Sequence, residues 1–166
     1  MIVRFGVAVV LALLMVAAEA APPLMTELAS RPTEQWQPLA SVEQWQEQRP
    51  TAELIYLDFW ASWCGPCQQS FPIMQQWQQQ YAARGFTILT ISLDGRAEDA
   101  QRFLRRVQTT LPVQWDPNAI LAQHFGVQTM PQSYLLNAQG EVLATHRGFQ
   151  HKDIAHLEAL IQSHLP

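Results

Sequence analysis

Two nearly continuous apolar runs stand out along the chain. Residues 53–60 read ELIYLDFW and residues 86–93 read FTILTISL. Runs of this length, rich in β-branched and aromatic side chains, predict strands buried on both faces. Between them the period changes. Residues 64–83 predict a helix, with Ser62 available as its cap and Arg84-Gly85 closing it. Pro72 falls inside that helix and predicts a kink. Upstream, residues 41–48 predict a short helix, because Ser41 and Gln44 stand at capping-box spacing. Downstream, Asp94 precedes a helical stretch over 97–107 with Ala100, Phe103, Leu104 and Val107 on one face. Asp116-Pro117 predicts a cap and a first helical position for a helix that ends at Gly126. A third strand over 132–136, a turn at 137–140 and a fourth strand over 141–146 predict a hairpin. A last helix over 153–164 carries Leu157, Leu160 and Ile161 on its apolar side.

This order predicts an α/β fold, a central mixed β-sheet flanked by helices on both faces. The first two strands, joined by a helix, should run parallel with a right-handed crossover. Open α/β sheets bind ligands beyond the carboxyl ends of their strands, which directs attention to the segment just after Trp60.

Composition narrows the class. The 166 residues suit one domain, with 48% hydrophobic and 14% charged residues, a globular balance. The formal net charge is -4, Lys152 is the one lysine, and no basic stripe forms, so nucleic acid is not an expected partner. The glutamine-rich stretch 75–80 is interrupted by Trp77 and reads as a solvated helix face rather than an aggregating tract. At the N-terminus one basic residue, Arg4, precedes an uncharged run and an Ala18-Glu19-Ala20 site. That is the layout of a signal peptide over 1–20, cleaved after Ala20. The run falls short of the ~20 residues of a spanning helix, with an uncleaved anchor as the alternative. No cysteine lies near the cleavage site to carry a lipid. An irregular, proline-containing arm follows over 21–40, then the domain over 41–166.

Cys64 and Cys67 are the only cysteines. In an exported chain cysteines usually staple loops, yet a bridge between these two would close a tiny loop of little entropic value. A redox role accounts for them better. A strand delivers Cys64 to a helix N-terminus, where unpaired amides and the helix dipole favour a thiolate. Residues at i and i+3 share a helix face, so Cys64 could attack a disulfide from an exposed position and a deeper Cys67 could resolve the product. Gly65 and Pro66 hold the turn between them. A zinc half-site is the rival reading. Two cysteines cannot make a four-cysteine site, and His146, His151 and His156 lie too far along the chain for a finger. Asp58 sits within the first buried strand. It is either a satisfied structural carboxylate or a proton acceptor for the buried thiol.

The stretch Phe59-Trp60-Ala61-Ser62-Trp63-Cys64-Gly65-Pro66-Cys67 resembles the active-site signature of the thioredoxin superfamily. The likeness runs from about Ser41 to the end of the chain. Pro72 resembles that family's helix-kinking proline, Thr129-Met130-Pro131 its cis-proline loop, and Gly148 the glycine after its last hairpin. The segment from Ile91-Ser92-Leu93-Asp94 to Asp116 resembles the insert of the exported, TlpA-like thiol–disulfide oxidoreductases. Asp58 departs from many members of that branch and resembles thioredoxin itself. Gln132 follows Pro131 where cytochrome c maturation members carry a glutamate-bearing loop, which argues against a dedicated haem-pathway role.

The resemblance implies a thioredoxin-like fold. It implies Cys64 as nucleophile, Cys67 as resolving thiol and Asp58 as proton acceptor, with Cys64 and Cys67 forming the redox disulfide. Trp63, Gly65, Pro66, Met130 and Pro131 would face the substrate, although Trp60 and Trp63 also suit plain packing. It implies a periplasmic protein-disulfide reductase, monomeric, with no metal or other cofactor. Its partners would be disulfide-containing proteins and a membrane-embedded thiol donor. A disulfide oxidase or isomerase, and a non-catalytic binding module, are the other readings.

Overall fold

The computed structural model describes residues 36–166. The signal segment over 1–20 and most of the arm over 21–40 lie outside the described residues. Five strands form one mixed sheet in the order β3-β2-β1-β4-β5. They are β1 (Leu54–Trp60), β2 (Phe86–Ser92), β3 (Val113–Trp115), β4 (Gln132–Asn137) and β5 (Val142–Arg147). The helices are α1 (Val42–Gln48), α2 (Gly65–Tyr81), α3 (Ala97–Val107), α4 (Ile120–Phe125) and α5 (Ile154–His164). β1 runs parallel to β2, with Leu54 opposite Phe86 and Trp60 opposite Ser92. It runs antiparallel to β4, with Phe59 opposite Gln132.

Every residue of β1 is buried, as its apolar run requires. Strand alternation sorts these side chains between two cores. Leu54, Tyr56 and Trp60 pack with Phe71, Met74 and Trp77 of α2, Phe103 of α3 and Leu157 and Ile161 of α5. Ile55, Leu57 and Phe59 pack on the other face with Trp45 of α1 and Leu121 of α4. Asp58 shares the parity of Tyr56 and Trp60, so it lies on the face that α2 covers. The Trp60 ring stacks on Phe103 at 4.7 Å and meets Phe71 edge-on at 5.2 Å, which locks the end of β1 against α2 and α3.

α3 occupies the expected residues, and three features differ from expectation. β3 is a strand of three half-buried residues that the pattern does not reveal. It survives because it is paired on both sides. Thr90 N donates to Pro112 O at 2.9 Å, and Leu39 N donates to Trp115 O at 2.8 Å. Residues 36–40 therefore join the domain instead of continuing the arm, with Leu39 buried and Trp36 against Trp115. At the start of α1, Ser41 Oγ accepts from Gln44 N at 3.1 Å, while the Gln44 side chain reaches back to Ala40 N and not to Ser41.

The third difference is α4, which begins three residues later than Asp116-Pro117 suggests, after a turn that puts Ala119 at φ 54. Asp116 still caps it. Its fully buried carboxylate accepts from Ile120 N, Leu121 N and Ala122 N at 2.8, 2.9 and 3.0 Å. Asp116→Ala leaves all three donors without a partner in the protein interior. The expected loss is about 2–4 kcal/mol of stability, read from thermal or denaturant unfolding.

Candidate active site

β1 ends at Trp60, and the chain turns before α2 begins. Cys64 N donates to Ala61 O at 3.0 Å and closes that turn. Cys64, not Ser62, is the N-cap of α2, with extended backbone at φ -83 and ψ 107. Its Sγ accepts from Cys67 N at 3.2 Å. Gly65 and Pro66 supply the first helical positions, where proline's missing N–H costs nothing. The first amides of a helix have no intrahelical partner, and here one points at the Cys64 sulfur. That geometry stabilises a thiolate at Cys64 once the bond is opened.

The two cysteines form a disulfide with a Cα–Cα separation of 5.3 Å. Sequence reasoning places Cys64 at an exposed tip. In this oxidised state it is buried at 5% exposure, and Cys67 at 0%. Cys67 opens the inward stripe of α2 that continues through Phe71, Met74 and Trp77. Beneath that stripe lies Asp58, at 2% exposure. Its Oδ2 is fully buried and has no hydrogen-bond partner among the described residues. Burial holds its carboxyl well above the usual carboxylate range. Tyr56, one pleat away, shares a hydrogen bond with Ser133 Oγ at 2.8 Å. Burial, and then the neighbouring Asp58 charge, push its phenol above the ordinary range.

The Met130–Pro131 peptide bond is cis. Pro131 lies one position beyond the Phe59–Gln132 pair, which sets it beside Trp60 at the end of β1. Its carbonyl accepts from Gly148 N at 2.8 Å, so the end of β5 braces the loop. Met130 is half-buried against the cluster that holds both cysteines, whereas Thr129 is exposed. A shallow cavity of about 260 Å³ opens beside the loop, lined by Leu93, Ala119, Gln123, Val127, Gln128 and Met130. Trp63 is 71% exposed, and Gly65 and Pro66 are exposed beside it. His146 pairs with Asp153 at 3.5 Å, and His151 and His156 are exposed.

Sequence reasoning missed the partner of Ser62. Asp94, at the end of β2, takes both Ser62 N and Ser62 Oγ. The residues stand 32 positions apart. A lone aspartate just past a strand carries no signal of such a contact.

Residues 52–142 match the family described as thioredoxin-like. The chain belongs to that family. Among curated relatives of this thioredoxin-like chain is the thiol-disulfide oxidoreductase ResA of Oceanobacillus iheyensis, 33% identical over 88 residues. That match covers 53% of this chain and 46% of the relative. ResA of Bacillus subtilis is 24% identical over 102 residues, 61% of this chain and 57% of the relative. The chain thus spans about half the length of the curated relatives it matches. Among solved structures, one from Chlorobium tepidum described as a thiol:disulfide interchange protein DsbE is 44% identical with a TM-score of 0.68. It covers 70% of this chain and 82% of that one. StoA from Bacillus subtilis shares the fold, with a TM-score of 0.59 at 24% identity over 68% of this chain and 85% of that one.

Proposed function

We propose that this thioredoxin-like protein is an exported thiol–disulfide oxidoreductase that reduces disulfides in other proteins. The observation that carries the reading is the disulfide itself. The chain's only two cysteines share it, at a helix N-terminus, above a buried carboxyl group that lacks a partner among the described residues. In the reduced protein the Cys64 thiolate attacks one sulfur of a substrate disulfide. A Cys64–substrate bond forms, and the second substrate sulfur leaves as a thiolate. The ionised form of Asp58 takes the proton of Cys67, and the Cys67 thiolate attacks Cys64 Sγ. The Cys64–Cys67 bond re-forms and the first substrate sulfur leaves. Two electrons pass to the substrate, carried by the sulfur pair itself; of the two substrate thiolates one can take the proton that Asp58 received from Cys67, and the other takes its proton from solvent. An upstream thiol donor, membrane-embedded in this reading, must then reduce the pair again.

The exported setting rests on the N-terminal 20 residues. Among the described residues no helix is long and apolar enough to cross a membrane. The neutral rim of the site supports protein substrates: Trp63, Pro66, Thr129 and Met130 offer contact surface and no charge. Substrate backbone would pair beside Met130 as an added strand. Trp63→Ala should leave stability within about 0.5 kcal/mol, since the side chain is exposed. It should raise KM for a protein disulfide several-fold, as steady-state reduction assays would show.

The direction is tested by the reduction potential of the Cys64–Cys67 pair against a glutathione or dithiothreitol series. A value near the ~-270 mV of thioredoxin supports a reductant. A value above about -200 mV overturns that direction and turns the reading to an oxidase or isomerase.

A further inference from the structure

The loop that carries Cys64 is held by a buried anion. Asp94 is 3% exposed. Ser62 N donates to both of its carboxylate oxygens, at 3.1 and 3.0 Å, and Ser62 Oγ donates to Oδ1 at 2.6 Å. Ser92 Oγ donates to Oδ2 at 3.1 Å. The Asp94 carbonyl accepts from Trp115 Nε1 at 2.6 Å, and the Asp94 amide donates to Ser92 Oγ at 3.3 Å. Leu93 N donates to Trp60 O at 2.9 Å, tying the two strand ends together. Both hydroxyl protons and the Ser62 amide proton are thus directed at the carboxylate. Among the described residues the carboxylate oxygens meet hydrogen-bond donors only.

We propose that Asp94 is a positioning residue for the redox loop and that its fixed negative charge sets the acidity of the Cys64 thiol. This rests on the reading of Cys64 as the attacking thiol. Ser62 is two residues before Cys64, and Cys64 N closes the turn that Asp94 pins at its centre. A buried anion so placed opposes the thiolate that the α2 amides favour. Its loss therefore makes Cys64 more acidic and the reduced pair more stable.

The other charged or titratable side chains near this end are engaged elsewhere: the buried Asp116, tied to Ser92 O through its amide, gives its carboxylate to the Ile120, Leu121 and Ala122 amides. Asp58 lies under α2, with burial favouring its neutral form. Arg96 pairs with Glu98 at 3.5 Å, and Asp99 pairs with Arg102, along exposed α3. Arg147 is exposed at the end of β5, and Tyr56 is buried and neutral. α2 contains no charged residue, nor does the loop over 127–131.

The test uses the reduced full chain and follows Cys64 by ultraviolet thiolate absorbance across a pH series. Asp94→Asn keeps an acceptor for Ser62 and removes the charge. The Cys64 midpoint should fall by about one pH unit. The reduction potential should rise by up to about 30 mV, the equivalent of that tenfold change for two electrons. Ser62→Ala retains the charge and deletes a donor that compensates it, so the midpoint should rise. A fall in Asp94→Asn together with a rise in Ser62→Ala supports the proposal, and the reverse pattern overturns it. Shifts of the same sign, or none, overturn it and leave Asp94 a purely structural anchor. If Asp94→Asn does not fold, Ser62→Ala decides alone: a rise supports the charge, and a fall or no change overturns it. The titration needs no substrate. An inert wild-type pair in thiol exchange would defeat the proposed function without touching this result.

Discussion

Cys67→Ala should stop the protein at the first half of its reaction, as a Cys64-linked adduct with a substrate protein. The reason is geometric. Cys67 follows Cys64 by one helical turn and its sulfur already lies within bonding reach, since the two form a disulfide. Resolution from that position is intramolecular. Effective concentrations for such steps far exceed the millimolar level of any free thiol, so deleting Cys67 should slow release by about 10³-fold or more. The adduct should be visible on a non-reducing gel after incubation with a disulfide-bearing protein, and should vanish on adding dithiothreitol. Cys64→Ser removes the attacking sulfur and should give no adduct with Cys67 alone, because Cys67 is wholly buried. Absence of any adduct in Cys67→Ala, with the fold intact, would sink the exchange chemistry itself.

Much of this site is legible in the sequence because its determinants are local. β1 and β2 announce themselves as apolar runs, and all seven residues of β1 prove buried. α3 shows a helical apolar face, and Ala100 and Phe103 from that face enter the core. The cysteine pair is a local motif at a strand-to-helix junction, and strand parity alone puts Asp58 on the face that α2 covers. What is not legible depends on partners distant in the chain. β3 has three residues and exists only because β2 lies on one side and residues 38 and 39 on the other. The delay of α4 reflects Ala119 in a left-handed conformation, tolerated because Asp116 gathers three amides across the turn. Ser62 has every local mark of an N-cap, yet the Asp94 carboxylate outcompetes the helix for it. Local propensity supplies the candidates, and tertiary contacts choose among them.

Asp58→Asn should make the protein more stable at neutral pH relative to acid, and slower. The two effects have one cause. In the unfolded chain the carboxyl titrates near its ordinary value of 3.8. In the native state burial raises it well above that. Below pH 3.8 the group is protonated in both states and costs nothing. As pH rises past that point the unfolded state releases a proton that the native state retains. Native stability then falls by up to about 1.4 kcal/mol per pH unit, until the raised native value is passed. Asparagine does not titrate. The difference in unfolding free energy, variant minus wild type, should therefore climb with pH from about 4 and level off at the native pKa of Asp58, which the plateau reads directly. Groups common to both proteins cancel in that difference. A flat difference would mean that the carboxyl is not raised. Catalysis should move the other way. Without a proton acceptor beneath α2, Cys67 enters its attack as a thiol, and release of the mixed disulfide at pH 7 should slow by about 10²-fold. The deficit should shrink at alkaline pH, where solvent hydroxide deprotonates Cys67 without help. Unchanged release kinetics across pH, with the stability difference still present, would leave Asp58 a buried structural carboxyl and assign the proton of Cys67 to another acceptor.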